Sequence, residues 1–450
     1  MSRAEGQDTQ LRQILTMGSQ TSSFLQQHLN LSQSAISRAV ERLAPDVILL
    51  GAARSARYGL KKQVHPKLET EISLYQVDTR GDVSPYGKLF TLAANEYGLQ
   101  LHGSSKINFL DHVPYPIQNM NPEGFMGRSF AHNYARELDL PKDLNVWTDV
   151  HALVALTSRG EDMPGCLIIG QGSLERYWEE VATDPTILSS EGRFKAYDDL
   201  AAMAIEGEAP GSSAGGEQPK FTAIVEGPDG PHRVIVKFAS RNSDEGIRWS
   251  DLLICESIAS KTLFNNGFNS AVTRILQTEN WTFLESARFD RTGLWGRIPL
   301  FSMKSLEAEF IGGCDTWSEC AEEFNRNKYI SDEDRARIQQ LEGFGALIGN
   351  TDMHLGNLSF YPNNGGFDLA PIYDMTPMIY RPRSGGIMSS DPISFKGLPP
   401  TASSKGIRAL ARKFWERAAN EELLSDDFRE LCKRNLKTFQ NLENRPVLKM

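Results

Sequence analysis

The chain has 450 residues, of which 40% are hydrophobic and 23% charged, and its formal net charge at pH 7 is −9. This composition is typical of a soluble globular protein, and no run approaches the roughly 18 apolar residues of a membrane span, so we expect no membrane partner. The polar first ten residues predict neither a secretory signal nor a transit peptide, and five scattered cysteines without a CxxC motif argue against disulfides or structural zinc. We therefore expect a cytoplasmic protein.

The charge is distributed unevenly along the chain. Residues 1–67 contain nine Lys or Arg and four acidic residues, so the remaining chain carries a net charge of −14. A small basic head on a large acidic body suggests that the head alone meets a polyanion. A solvated basic face without a partner explains the charge equally well.

The N-terminal pattern favours DNA binding. Residues 21–23 (Thr-Ser-Ser) offer N-cap oxygens to a short apolar helix, a break of about three residues follows, and 34–43 then has helical periodicity. Together these features predict a helix-turn-helix. Residues 47–58 predict a β-hairpin with a basic tip, similar to the wing of a winged-helix regulator. A small helical oligomerisation domain is the alternative. The side chains expected to contact DNA are Gln33, Ser34, Ser37, Arg38, Arg42, Arg54 and Arg57.

The middle of the chain predicts structure without identifiable chemistry. Residues 72–100 alternate as short strands with turns, and residues 122–160 are helical in pattern. Residues 207–216, rich in Gly, Ser and Pro, precede the half of the chain that carries chemical motifs.

A glycine loop and two strands come next. Gly215 and Gly216 lie between predicted strands, where backbone N–H groups can face an anion, and Lys220 adds a positive charge. Such a pair of glycines is more often a plain hairpin. Lys237 lies within the β-branched strand 233–238, and a loop followed by a strand lysine is the order found in kinases, although a lone strand lysine more often faces solvent.

Two acidic positions and an amide complete the pattern. Asp352 and Asn357 have the D-x-x-x-x-N separation of a kinase catalytic loop, and Asp374 follows a predicted hairpin, where a second metal-binding carboxylate is needed. Oxygen ligands of this kind suit Mg²⁺. Taken singly, each residue could be a turn former or a helix cap, but their order after the loop and Lys237 predicts phosphoryl transfer.

These motifs together resemble the HipA family of bacterial serine/threonine kinases, the toxin components of toxin–antitoxin pairs. The resemblance spans roughly residues 72–440. The matching motifs are S-x-x-G-x-Q-x-K at 213–220, the strand lysine at 237, R-F-D-R at 288–291, N-x-D-x-H-x-x-N at 350–357 and A-P-x-Y-D at 370–374.

The resemblance implies an ATP- and Mg²⁺-dependent kinase in which Asp352 is the catalytic base and Asn357 and Asp374 hold the metal. It implies a regulatory phosphosite at Ser213, whose modification would silence the enzyme, and an adenine hinge at 286–289. The residues expected to bind ATP are Ala214, Gly215, Gly216, Glu217, Gln218, Lys220, Lys237, Ala287, Phe289, His354 and Tyr373.

The sequence also departs from the family pattern. Ala287 stands where members usually have Glu before R-F-D-R, and Glu217 stands where a small residue is usual. Glu256, on a helix predicted over 251–259, is our candidate for the ion-pair partner of Lys237. In the family, DNA binding normally resides in a separate helix-turn-helix antitoxin, whereas here a winged-helix-like head is fused to the kinase. A protein substrate of unknown identity, an antitoxin partner and a homodimer are all consistent with this organisation.

We expect an α+β fold with a winged helix-turn-helix at 1–65, a HipA-like N-terminal lobe at 66–290 and a mainly helical C-terminal lobe at 291–450. Two other functions stay open. One is a DNA-binding transcriptional regulator with an inactive kinase-like domain. The other is a metal-dependent hydrolase or nuclease, which leaves the glycine loop and Lys237 unexplained.

Overall fold

The computed structural model describes residues 3–53, 56–206, 218–383 and 385–443. Arg54 and residues 213–217, for which DNA contacts, a phosphosite and phosphate contacts were predicted, lie outside the described residues. The chain divides into two compact units, one made of 1–122 and 134–184, the other of 123–133 and 185–450.

The first unit begins with three helices and a small sheet. Thr21 and Ser32 cap the second and third helices, because each hydroxyl accepts a hydrogen bond from a backbone N–H in the first turn. Leu11, Leu15 and Ile36 are fully buried in the core between the helices. The strand order is β1-β3-β2, and the elements are α1 (Arg3–Leu15), β1 (Gln20–Thr21), α2 (Ser22–Leu29), α3 (Gln33–Leu43), β2 (Val47–Leu50) and β3 (Arg57–Leu60).

A five-stranded antiparallel sheet forms the rest of this unit, with strand order β7-β6-β5-β4-β8. The strands predicted over 72–100 and the helices predicted over 122–160 are confirmed. The elements are β4 (Glu71–Val77), β5 (Val83–Thr91), β6 (Tyr97–Leu101), β7 (Asn108–Leu110), α4 (Tyr115–Gln118), α5 (Gly124–Leu138), α6 (Asp149–Arg159), β8 (Leu167–Ile169) and α7 (Gly170–Ala182). Residues 124–133 of α5 belong to the second unit.

The second unit opens with a five-stranded sheet of order β12-β13-β11-β10-β9. Its apolar side chains, with Val234, Val236 and Phe238 at alternate positions of one strand, form a buried core with the preceding helix. The elements are β9 (Ile187–Leu188), α8 (Arg193–Glu206), β10 (Lys220–Val225), β11 (His232–Ser240), α9 (Asp244–Phe264), β12 (Thr273–Gln277) and β13 (Trp281–Ala287).

The C-terminal part of this unit is mainly helical, with two small antiparallel sheets, β14-β15 and β16-β17-β18. The elements are β14 (Arg291–Thr292), β15 (Gly296–Arg297), β16 (Phe301–Ser302), α10 (Met303–Phe310), α11 (Trp317–Arg326), α12 (Asp332–Ile348), β17 (Ser359–Asn363), β18 (Gly366–Leu369), α13 (Lys405–Asn420) and α14 (Asp426–Glu443).

The predicted α+β class is confirmed. All five cysteines are free thiols. Within the described ranges, no helix combines the length and the apolar character that crossing a membrane requires.

Candidate active site

The strand pair β10–β11 brings two lysines together. Lys220 and Lys237 are direct cross-strand partners in the antiparallel register, so their side chains project from the same face of the sheet. Val236 and Phe238 alternate with Lys237 and are fully buried in the apolar core, which directs the lysine to the opposite face. Lys237 is itself only 8% exposed, and a buried ammonium needs anionic partners.

Two carboxylates supply those partners. The Lys237 Nζ donates to both carboxylate oxygens of Glu256 on α9, at 2.7 and 2.9 Å, and also contacts the Asp374 carboxylate. Glu256 is 5% exposed. The ion pair that the sequence predicted between Lys237 and Glu256 is therefore confirmed.

The three groups shift one another's ionisation in different directions. Burial opposes protonation of Lys237, but the charges of Asp374 and Glu256 outweigh burial and raise the pKa of the lysine above its ordinary value. Burial raises the pKa of Glu256 although Lys237 acts against it. Burial also opposes ionisation of Asp374, but the positive charges of Lys237 and Lys220 prevail and lower its pKa. Asp374 is thus held as an anion.

The backbone at Asp374 is unusual. Its φ is +57°, a left-handed conformation that is uncommon for residues other than glycine, although aspartate adopts it more readily than most. The segment before it is anchored because Ala271 N–H donates to the Ile372 carbonyl at 2.9 Å and Ile372 N–H donates to the Asn269 carbonyl at 2.9 Å. A strained backbone held by its surroundings is typical of a functional site.

The predicted catalytic loop begins where α12 ends. Gly349 closes that helix with a φ of +79°, and the loop then carries Asp352. The backbone of Asp352 is held at both ends: its N–H donates to Asn350 Oδ1 at 3.0 Å, and its carbonyl accepts from Asn357 Nδ2 at 2.8 Å. The Trp317 indole N–H of α11 donates to the His354 carbonyl at 3.0 Å and fixes the far side of the loop.

Tyr373 and His354, both expected to line a nucleotide site, are held within this loop. The Tyr373 hydroxyl donates to the Gly356 carbonyl at 2.8 Å and lies 2.8 Å from the Ser359 hydroxyl, and its ring packs against Phe289 with centroids 5.6 Å apart. The exposed His354 ring accepts a hydrogen bond from Gly356 N–H at 3.1 Å.

The predicted adenine hinge already makes internal hydrogen bonds. Ala287 N–H donates to the Val272 carbonyl at 2.9 Å, and the Phe289 carbonyl accepts from the Tyr361 hydroxyl at 2.9 Å. Gln218 lies next to the lysine strand, where its Nε2 donates to the Phe238 carbonyl at 3.4 Å.

The donor chemistry fits a magnesium ion that a nucleotide helps to bind. Asp374 supplies an anionic oxygen with 31% of its side chain exposed, and Asn357 keeps an amide oxygen as acceptor while its Nδ2 is used by Asp352. In the part of the chain that the structure describes, no group of three or more His, Cys, Asp or Glu side chains is arranged to hold a metal. Two protein oxygens completed by waters and phosphate oxygens are typical of Mg²⁺ in phosphoryl transfer.

Five of the seven residues predicted to contact DNA, at positions 33, 34, 37, 38 and 42, lie on α3. Ser34, Arg38 and Arg42 are exposed at helical spacing along one face, and Ser37 is half-buried between them. Arg42 forms a bidentate ion pair with Asp8 of α1, at 2.6 and 3.0 Å.

Two further predicted DNA contacts are engaged inside the first unit. The Gln33 Oε1 accepts from Ser22 Oγ at 2.5 Å and from Gln26 Nε2 at 2.7 Å, which ties α3 to α2. The Arg57 guanidinium lies over the Phe109 ring, 4.2 Å from its centroid. Ser34 and Arg38 are therefore the better placed of the predicted side chains.

Sequence reasoning assigned no role to two polar side chains of the site. Thr376 Oγ1 donates to Glu256 Oε2 at 3.2 Å, and Asn350 joins the loop of Asp352 to Asp374. Thr376 lies two residues beyond Asp374, so its closeness in sequence to a predicted site residue could have indicated that it belongs to the site. Asn350 was visible as the first residue of its motif, but the pairing of its amide depends on the fold.

Comparisons with known proteins give consistent results over most of the chain. The family described as the HipA-like C-terminal domain matches residues 212–439, and the family described as the YjjJ-like toxin, middle domain, matches residues 68–178. Toxin YjjJ of Escherichia coli (strain K12) is 32% identical over 442 residues, which cover 97% of this chain and 98% of that protein.

Two solved structures are distantly similar. The Shewanella oneidensis MR-1 HipA, solved with HipB and its operator DNA, is 15% identical with a TM-score of 0.49 and covers 82% of this chain and 97% of its own. The Helicobacter pylori proinflammatory kinase CtkA is 14% identical with a TM-score of 0.32 and covers 49% of this chain and 90% of its own.

Proposed function

The chain belongs to the HipA-like family of toxins, and we propose that it is a toxin-type protein kinase that transfers the γ-phosphoryl group of ATP to a serine or threonine hydroxyl. The observation that carries the proposal is the buried network of Lys237, Glu256 and Asp374 in the same unit as the Asp352 loop. A strand lysine paired with a helix glutamate and a metal-binding aspartate is the arrangement that kinases use to position phosphates.

Each side chain has a defined task in the proposed reaction. The substrate hydroxyl oxygen forms a bond to the γ-phosphorus while the bond from that phosphorus to the β–γ bridging oxygen breaks, so ADP leaves with the bond's electron pair. Asp352 accepts the hydroxyl proton. Lys237 neutralises phosphate charge, and Glu256 holds the lysine in place.

Asn357 and Asp374 would hold Mg²⁺, which when bound supplies charge neutralisation at the β- and γ-phosphate oxygens. Asp374 is ionised in the structure because Lys237 and Lys220 stabilise its charge, so its oxygens are ready to bind a cation without first losing a proton. In the proposed reaction, ATP binding moves the Lys237 ammonium away from Asp374 and towards phosphate oxygens.

Regulation through Ser213, which we propose the kinase phosphorylates on itself, rests on the resemblance alone. Phosphorylation there would add roughly two negative charges to a segment that the sequence predicts to bind phosphate. Peptide mass spectrometry tests it: the proposal predicts phosphate on Ser213 in inactive preparations, and its absence from both active and inactive preparations would contradict it.

We also propose that residues 1–65 form a winged-helix head that binds DNA through α3. Ser34 and Arg38 are exposed on that helix, and residues 1–67 have a net charge of +5 although the whole chain is acidic. Base edges would be contacted by Ser34 and phosphates by Arg38. Such heads commonly bind DNA as dimers, so a homodimer belongs to this proposal. A separate antitoxin partner also belongs to it. Because the proposed protein acts on DNA, we expect it in the cytoplasm.

Phosphoamino-acid analysis tests the activity. The protein is incubated with Mg²⁺, γ-labelled ATP and a pool of dephosphorylated proteins, beside the Asp352→Asn variant. Label on serine or threonine with the wild type alone supports the proposal. Nucleotide binding without any transfer would instead favour a DNA-binding regulator with an inactive kinase-like domain.

A further inference from the structure

Asn350 joins the two halves of the candidate active site. It follows Gly349, the left-handed residue that ends α12, and its own N–H donates to the Gly345 carbonyl at 2.8 Å. The side chain is 4% exposed. A buried amide is stable only when its polar atoms find partners, so those partners indicate what the residue does.

The two ends of the amide bind different segments. The Oδ1 accepts the Asp352 N–H at 3.0 Å, and the Nδ2 donates to the Asp374 carbonyl at 3.3 Å. A reversed amide would set donor against donor at Asp352 and acceptor against acceptor at Asp374, so the network fixes this orientation. One planar amide thus links the backbones of the two aspartates.

The bond to Asp374 acts where the backbone is strained. Because Asp374 has a φ of +57°, its carbonyl direction depends on contacts that favour the left-handed conformation over the ordinary ones. The Lys237 ion pair holds the carboxylate end of this residue, while Asn350 holds its peptide end.

We infer that Asn350 is a positioning residue that couples the proton-accepting Asp352 to the metal-binding Asp374 without touching substrate or nucleotide. The inference rests on the proposed function for the roles of the two aspartates. Asparagine suits the position because it presents an acceptor and a donor from one short, rigid branch. Aspartate keeps the shape, but it replaces the donor towards Asp374 with a carboxylate oxygen that opposes the Asp374 carbonyl.

The test compares Asn350→Asp with Asn266→Ala. Asn266 also uses both ends of its amide, since Nδ2 donates to the Thr262 carbonyl at 2.7 Å and Oδ1 accepts from Lys413 Nζ at 2.6 Å, but it lies at the end of α9 and outside the proposed machinery. It therefore controls for the general effect of losing a bridging asparagine.

Two measurements need no metal and no turnover. Hydrogen–deuterium exchange of residues 371–378 should be about tenfold faster in Asn350→Asp, the effect of one lost hydrogen bond, and unchanged in Asn266→Ala. Binding of a fluorescent ADP without Mg²⁺ should be the same in all three proteins.

The kinetic measurements separate positioning from folding. In Asn350→Asp we expect kcat to fall about 100-fold and the half-saturating Mg²⁺ concentration to rise about tenfold, with the KM for the protein substrate unchanged. The inference would be overturned if Asn350→Asp had the same hydrogen–deuterium exchange at 371–378 and the same Mg²⁺ requirement as the wild type. Equally faster exchange throughout the second unit of the variant would also overturn it.

If the wild type transfers no phosphate, the proposed function fails, but the exchange measurement still decides whether Asn350 holds the Asp374 backbone.

Discussion

Lys237 is the most informative position to perturb, because it neutralises two carboxylates at once. Lys237→Met keeps an unbranched apolar stem but leaves Glu256 and Asp374 without the cation that both contact. Removing one partner of a buried ion pair typically costs about 3–5 kcal/mol, since the remaining charge is uncompensated. We expect the free energy of unfolding to fall by that amount at pH 7.5.

The glutamate behaves differently when it is neutralised. The raised pKa of Glu256 means that folding disfavours its charge, so Glu256→Gln should change the free energy of unfolding by less than about 1 kcal/mol. In Lys237→Met/Glu256→Gln only one carboxylate remains, and about 2 kcal/mol of the single-mutant loss should be recovered. Glu256→Gln should nevertheless lower phosphate transfer, because Lys237 is then held by Asp374 alone.

Urea unfolding of the four proteins, combined as a double-mutant cycle, measures this coupling. Tryptophan fluorescence follows the unfolding transition, and one of the seven tryptophans, Trp281, belongs to β13 of the same sheet. A Lys237→Met protein as stable as the wild type, or a coupling below about 0.5 kcal/mol, would refute the ion network as described.

Three further changes test other parts of the structure. Burial raises the pKa of Asp251 to about 6. The carboxyl therefore stabilises the fold below its ordinary pKa, and this stabilisation is lost as pH rises through about 6. In urea unfolding, the free energy of unfolding of Asp251→Asn should rise by about 2 kcal/mol relative to the wild type as pH increases from 4.5 to 7.5. A methyl group on Gly345 would clash with Met353 Sδ, so Gly345→Ala should displace Met353, the neighbour of the proposed catalytic Asp352, and lower phosphate transfer about tenfold in steady-state assays. Arg38→Ala should reduce the slope of log affinity for DNA against log salt by about 0.9, the value for one phosphate contact, in fluorescence anisotropy titrations.

Each of these changes has a matched control. Asp427→Asn removes a neighbouring carboxylate that raises the pKa of Asp251 and should have a smaller pH effect. Gly6→Ala adds a methyl group where nothing lies within 4 Å and should leave transfer unchanged, while Arg80→Ala removes an exposed arginine already paired with Asp78 and should leave the salt slope unchanged. Equal effects in a variant and its control would contradict the assignment concerned.

The sequence predicted those parts of the site whose chemistry dictates residue type and spacing. A lysine within a β-branched strand and the aspartates at 352 and 374 were identifiable because phosphoryl transfer needs those groups in that order. The helix carrying Glu256 was predicted over 251–259 and extends over Asp244–Phe264, because a capping serine and a long buried face lengthen it at both ends.

Other features depend on tertiary contacts that no local pattern contains. Asp374 has a left-handed backbone, and its contacts with Asn350 and Lys237 come from residues that are distant in sequence. In the same way, Arg42 was predicted to face DNA, whereas its ion-pair partner Asp8 lies 34 residues away on another helix. Side-chain pairing across elements is therefore the information that the sequence alone did not supply.

The central claim is that this chain transfers phosphate through Asp352 and Asp374. Intact-mass spectrometry of dephosphorylated protein before and after Mg²⁺-ATP tests it most directly, beside Asp352→Ala and Asp374→Ala. The account predicts a gain of about 80 Da per phosphoryl group in the wild type and none in either variant. No gain in the wild type despite measured ATP binding, or an equal gain in the variants, would contradict it.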